Sequence, residues 1–148
     1  MRRGISITVL LVLFFQLVPG VTWANEALEA SIVDVTQLYT YEIMTKDIKE
    51  LAETYPELIS YQSIGKTPYG REIWAVKLGK GDIPVLFTGS IHAREWISTV
   101  LLMNVIETYV KSYTRGHFEG YNIKDLLDKT CLWFIPMVNA DGVTLQQL

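Results

Sequence analysis

Apolar and polar positions over residues 41–148 alternate between helical and extended patterns. Ile48, Leu51, Ala52 and Tyr55 stand at i, i+3, i+4 and i+7, one face of a helix. Thr45 is the expected N-cap. Pro56 is the expected stop, because the residue before a proline is biased away from helical backbone. Ile59–Ile64 reads as a strand, and Gly65–Gly70 is rich in turn formers. Glu72–Leu78 reads as a second strand, with Ile73 and Ala75 on one face and Trp74, Val76 and Leu78 on the other. Apolar residues on both faces mark a buried strand, and the two strands are expected to form a hairpin. A turn at Gly79–Asp82 leads to a short apolar strand, Pro84–Gly89. Trp96–Val110 has helical spacing at Leu102, Val105, Ile106 and Tyr109. A polar connector over 111–121 precedes a short helix, Asn122–Lys129, and a fourth strand, Cys131–Val138. A hairpin beside strand–helix–strand crossovers predicts an α/β fold. Its sheet is mixed, parallel and antiparallel, with helices on both faces.

The N-terminus follows a different pattern. Arg2 and Arg3 precede an apolar run, Ile5–Val18, broken only by Ser6, Thr8 and Gln16. Pro19 and Gly20 end it, and Thr22 and Ala24 place small residues at the −3 and −1 positions of a cleavage site. This is the pattern of a secretory signal peptide over residues 1–24. The run is shorter than the roughly 20 residues that span a bilayer, so no stable membrane anchor is expected. The expected location is extracellular or periplasmic. Residues 25–40 have no clear periodicity and read as a short leader or pro-segment. Residues 41–148 read as one domain.

Composition narrows the classes. The chain has 13 basic and 16 acidic residues, a net charge of −3, which excludes a strongly basic nucleic-acid binder. Its single cysteine, Cys131, excludes an internal disulfide and a cysteine-based zinc ribbon. Cys131 lies in an apolar run and is expected to be a buried thiol. With two histidines, a three-histidine site cannot be complete in this chain. No Gly-x-Ser-x-Gly elbow supports a serine hydrolase.

Candidate chemistry concentrates in Gly89-Ser90-Ile91-His92-Ala93-Arg94-Glu95-Trp96, between a strand and a long helix. Ligand sites of open α/β sheets form beyond the carboxyl ends of strands. His92 and Glu95 are one turn apart, and imidazole with carboxylate suits zinc. The residues alone leave two readings open. His92 and Glu95 are a metal pair, or His92 is hydrogen-bonded within its loop and Glu95 is a solvated residue of the first helical turn.

The combination Gly-x-Ile-His-x-Arg-Glu-Trp resembles the first zinc-ligand segment of the zinc metallocarboxypeptidases, the carboxypeptidase A-like family. Ile64-Gly65-Lys66-Thr67, followed by Gly70-Arg71-Glu72-Ile73, is similar to that family's hairpin motif. Pro136–Val143 is similar to its Asn-Pro-Asp-Gly turn, with Ala140 where proline is usual. The resemblance covers nearly all of residues 41–148 and implies that they are the N-terminal portion of a three-layer catalytic domain. It implies Zn²⁺ as cofactor, His92 and Glu95 as two of three zinc ligands, and Arg94 as a substrate contact beside the metal. Arg71 and Glu72 are assigned no catalytic role. The implied reaction is peptide-bond hydrolysis by metal-activated water. The implied partner of this expected monomer is a peptide, either a protein C-terminus or a murein peptide, and not nucleic acid. In the family the second histidine ligand, the general base and the substrate-clamping arginines follow the turn. No catalytic residue is therefore expected within this chain, and His117 does not match the missing ligand segment. Weak zinc binding, no peptidase activity and an unpaired sheet edge are expected of the 148 residues alone. The alternative is a non-catalytic truncated relative that binds peptides or cell wall.

Overall fold

The computed structural model describes residues 31–148. The expected signal peptide, residues 1–24, and the first part of the leader lie outside the described residues. The elements run α1 (Tyr41–Thr54), β1 (Ile59–Lys66), β2 (Glu72–Leu78), β3 (Ile83–Thr88), α2 (Ile97–Arg115), β4 (His117–Phe118), β5 (Tyr121–Asn122), α3 (Ile123–Lys129), β6 (Thr130–Ile135) and α4 (Ala140–Gln147).

Helix α1 begins earlier than its apolar spacing suggests. Thr40, not Thr45, is the N-cap: its side chain accepts from the Ile43 N–H, and Glu42 adds negative charge to the first turn. Thr45 lies inside the helix, where its Oγ1 accepts from Trp74 Nε1 at 3.1 Å. That bond fastens α1 to β2.

The main sheet has the order β1-β2-β6-β3. β1 and β2 form the expected antiparallel hairpin, β2 pairs antiparallel with β6, and β3 pairs parallel with β6. The sheet is thus mixed, and the fold is α/β as the pattern predicts. Register sets Val76 opposite Phe134 and Leu78 opposite Leu132, so the four share a face. They join Ile48 and Leu51 of α1, Met103 and Ile106 of α2, and Leu127 of α3 in one buried cluster. Burying each such side chain contributes about 1.5–3 kcal/mol.

Strand β3 departs from the buried strand that its apolar residues suggest. It is the outer strand among the described residues, and every position in it is exposed, Leu86 at 61%. Phe87 keeps one anchor, stacked on Phe134 with ring centroids 5.1 Å apart. β6 ends at Ile135, not at Val138, because the regular register breaks there: Val138 N–H, not Met137 N–H, bonds to Gly89 O. Cys131 is buried and free.

The polar connector is shorter than expected. α2 continues to Arg115, and the remainder folds into the β4–β5 hairpin. The turn residues Glu119 and Gly120 have φ of 49° and 83°. Positive φ at both central positions is the type I′ geometry that favours Asn-Gly. Glutamate in that backbone carries a strain of about 1 kcal/mol.

Residues 31–40 are packed despite their lack of periodicity. Val33 and Tyr39 are fully buried. The buried Glu107 carboxylate accepts from Ser31 Oγ, Ile32 N–H and Val33 N–H at 2.8–3.0 Å, and pairs with Lys111 at 2.8 Å. Burial pushes its pKa up, but Lys111 and the three other donors outweigh that and hold it below the ordinary value. Asp47 is the contrary case. Burial raises its pKa, and the 2.7 Å bond from the Tyr39 hydroxyl only partly offsets this.

Replacing Glu107 with Ala strands the buried Val33 N–H and the part-buried Ile32 N–H, and frees Lys111. The expected loss is about 2–4 kcal/mol in urea unfolding. The two acids respond oppositely to pH. The depressed pKa of Glu107 means that its stabilising contribution is complete above its unfolded value and is lost as pH falls through the folded one. The raised pKa of Asp47 means that its contribution is present at low pH and is lost as pH rises through the folded value. Asp47→Asn keeps an acceptor for Tyr39 without the charge. Urea melts at about pH 7 should show this variant more stable than the parent, with the gain shrinking as pH falls below the raised Asp47 pKa.

Candidate metal site

The site loop grows from the close approach of two backbones. Beyond the ends of β3 and β6 their parallel pairing continues: Gly89 N–H donates to Ile135 O at 2.9 Å, Val138 N–H to Gly89 O at 3.0 Å, and Asn139 N–H to Ser90 O at 2.9 Å. A Cβ on Gly89 would lie 2.6 Å from Pro136 O, so only glycine fits. Ser90 is buried and left-handed, at φ 47°. It turns the chain out of the sheet.

Hydroxyl groups fix that turn. Ser90 N–H donates to Ser98 Oγ at 2.7 Å. Ser98 Oγ donates to Glu95 O at 2.7 Å. Thr99 Oγ1 donates to Pro136 O at 2.7 Å and lies 2.6 Å from Ser90 Oγ. The first turn of α2 is thereby tied to both strand ends.

His92 and Glu95 are brought onto a single turn ahead of α2, where Glu95 N–H donates to His92 O at 3.1 Å. Both are exposed at the carboxyl end of a parallel strand. Arg94, also exposed, donates from Nε to Gln146 Oε1 at 2.7 Å. That partner in α4 was not legible in the motif. His117 lies in the β4–β5 hairpin, paired with Asn122. Among the described residues no group of three His, Cys, Asp or Glu is placed to hold a metal ion.

The other two motifs brace this loop. Asp141 accepts from Thr67 Oγ1 at 2.9 Å, from Tyr69 N–H at 3.0 Å and from Arg71 Nη1 at 2.7 Å. Burial opposes its charge, but the Tyr69 N–H, Arg71 and Thr67 hold its pKa below the ordinary value. The expected turn at Asn139–Gly142 is the start of α4, with the Asn139 side chain accepting from Gly142 N–H at 3.0 Å. Ala140 occupies the first helical position, where an N–H has no intrahelical partner. Proline and alanine both suit that position.

A family model described as zinc carboxypeptidase matches residues 44–148. The chain belongs to the zinc carboxypeptidase family. It is 32% identical over 114 residues to a zinc carboxypeptidase of Saccharothrix mutabilis subsp. capreolus, covering 73% of this chain and 25% of that protein. It is 33% identical over 115 residues to gamma-D-glutamyl-L-diamino acid endopeptidase 1 of Lysinibacillus sphaericus, covering 77% of this chain and 29% of that protein. Among solved structures, bovine thrombin-activatable fibrinolysis inhibitor in complex with tick carboxypeptidase inhibitor aligns with a TM-score of 0.65 and 22% identity, over 75% of this chain and 34% of that one. That likeness shows a shared fold. The chain spans between a quarter and a third of the length of the two curated relatives. In zinc carboxypeptidase terms, the hairpin motif and the turn motif meet at Asp141, and the turn motif meets the zinc-ligand segment at Ser90.

Gly89→Ala should destabilise the chain by about 3 kcal/mol in urea unfolding, because backbone on both sides must move. Asp141→Ala should leave the sheet folded but release the hairpin tip. Hydrogen exchange would show it as faster exchange at the Tyr69 amide, with Val76 and Leu78 unchanged.

Proposed function

We propose that this protein is a secreted zinc-dependent metallopeptidase of the carboxypeptidase type. In this reading residues 1–24 are an export signal, 25–40 a leader, and 41–148 the N-terminal portion of the catalytic domain. The observation that carries it is the His92–Glu95 turn, an imidazole and a carboxylate exposed together at the carboxyl end of a parallel strand. That donor set suits two positions of a zinc site and leaves the third unfilled among the described residues. No catalytic step is assigned to this chain's own residues.

Zinc, when bound, polarises the scissile carbonyl and activates a water. The chain's own contributions are to hold the metal and to orient the substrate. Arg94 stands one residue before Glu95, and its guanidinium gives up the Gln146 amide oxygen for a substrate carboxylate oxygen, a stronger ionised partner. The substrate class is a peptide. The likeness to an endopeptidase named for gamma-D-glutamyl-L-diamino acid bonds supports cell-wall peptides as one member of that class.

Two donors predict weak affinity. Isothermal titration of the 148-residue chain should give a zinc Kd above about 1 µM, weakened further by His92→Ala and by Glu95→Ala. Zinc binding unchanged in both variants would remove the ligand assignment. The chain alone should show no zinc-dependent turnover of peptide or murein substrates. Turnover would mean that other groups of this chain complete the site.

A further inference from the structure

A hollow lies toward the C-terminal end of α2, away from the His92 turn. It has a volume of about 560 Å³ and is walled by Tyr109, Phe118, Tyr121 and Leu126. Tyr109 sits about 18 Å along α2 from its first residue, so the hollow is remote from the His92 turn. Its size falls in the range of roughly 300–1,000 Å³ typical of ligand pockets. Tyr109 and Phe118 hold their rings 6.2 Å apart and tilted, which fixes one wall. Tyr121 is 74% exposed at the mouth.

Three charged side chains line this hollow, Glu119, Asp125 and Lys129. The carboxylates of Glu119 and Asp125 make no hydrogen bond or ion pair within the described residues. Negative charge is therefore in excess over the single Lys129. Glu119 also holds a left-handed backbone position that Asn would occupy with less strain. A carboxylate-bearing residue lining the hollow is kept at the tip of the hairpin against local backbone preference. Aromatic faces and free carboxylates both attract cations, and the apolar walls suit an aliphatic stem.

We propose that this hollow binds a basic side chain of an extended peptide, lysine being the type, at a site separate from the His92–Glu95 turn. The ammonium lies among the rings of Phe118 and Tyr121 and the carboxylates of Glu119 and Asp125. The butyl stem packs on Leu126, and a peptide carbonyl meets Lys129. The reading does not depend on zinc or on the ligand assignment above.

The test uses the 148-residue chain labelled for NMR, titrated with a short peptide carrying one central lysine and with the same peptide carrying norleucine. The lysine peptide should produce saturable shifts of the Phe118–Asn122 amides, and the norleucine peptide should bind at least tenfold more weakly. Glu119→Gln should weaken the lysine peptide by about tenfold. Glu119→Asn should weaken it as much while raising Tm, which separates loss of binding from loss of folding. Zinc titration of both variants should match the parent. Equal affinity for the two peptides, no saturable shift at the hairpin, or preference for an uncharged chito-oligosaccharide would overturn the proposal.

Discussion

Two parallel strands, β3 and β6, end side by side with their backbones too close to admit a side chain between Gly89 and Pro136. The geometry of the His92 turn follows from that contact. Because pairing continues through Gly89 and Ser90, the chain leaves the sheet at a fixed point. Because Ser90 is left-handed there, it leaves in a fixed direction. The hydroxyls of Ser90, Ser98 and Thr99 then tie the loop to the first turn of α2 and to Pro136 O. The two candidate ligands need no buried partners of their own. Their position comes from backbone beneath them.

Three carboxylates, Glu107, Asp141 and Asp47, obey one rule with two outcomes. Glu107 collects two backbone N–H groups, a hydroxyl and Lys111, and Asp141 collects one backbone N–H, a hydroxyl and Arg71; in both the donors hold the pKa down. Asp47 has one close donor, the Tyr39 hydroxyl, with Lys46 only at 3.9 Å, and burial prevails. The first two fasten segments that have little secondary structure to hold them. Glu107 holds the chain at residues 31–33, and Asp141 holds the hairpin tip at residues 67–71. In both places a single acid gathers donors from a segment that has few bonds of its own.

The sheet was legible because its strands are short apolar runs between strong turn formers, and the hairpin with its crossover follows from that order. Helix α1 was misplaced at its start because Tyr41, Ile43 and Met44 extend the buried face by a turn that the Ile48–Tyr55 stripe does not demand. Residues 31–40 looked unstructured because their order comes from Glu107, far away in the chain, and not from any local period. Spacing put His92 and Glu95 one turn apart, and the Glu95 N–H to His92 O bond makes that turn; their role as ligands is a proposal. The Arg94–Gln146 contact and the Asp141 hub were not legible, since each joins segments more than fifty residues apart by polar groups common on any surface. Arg71 illustrates the point. Its motif gives it no catalytic role, and only the folded chain shows it bracing Asp141.

Support for the site loop is one-sided. From β6 and α4 it receives backbone pairing, the Asn139 amide and the Gln146 contact. On the far side of β3 the described residues offer nothing: the strand's outer edge is open, and Val85, Leu86 and Phe87 are 39–61% exposed. Ile97 and Leu101 of α2 are also exposed, although they lie on the helix that carries the loop. An open edge and apolar side chains together form the surface on which further strands add. The groups that would complete a metal site beside His92 and Glu95 must approach from a direction not already occupied. The β6 side is taken up by the Gly89–Ile135, Gly89–Val138 and Ser90–Asn139 bonds. The same feature that leaves β3 half-supported therefore keeps the approach to the His92 turn open.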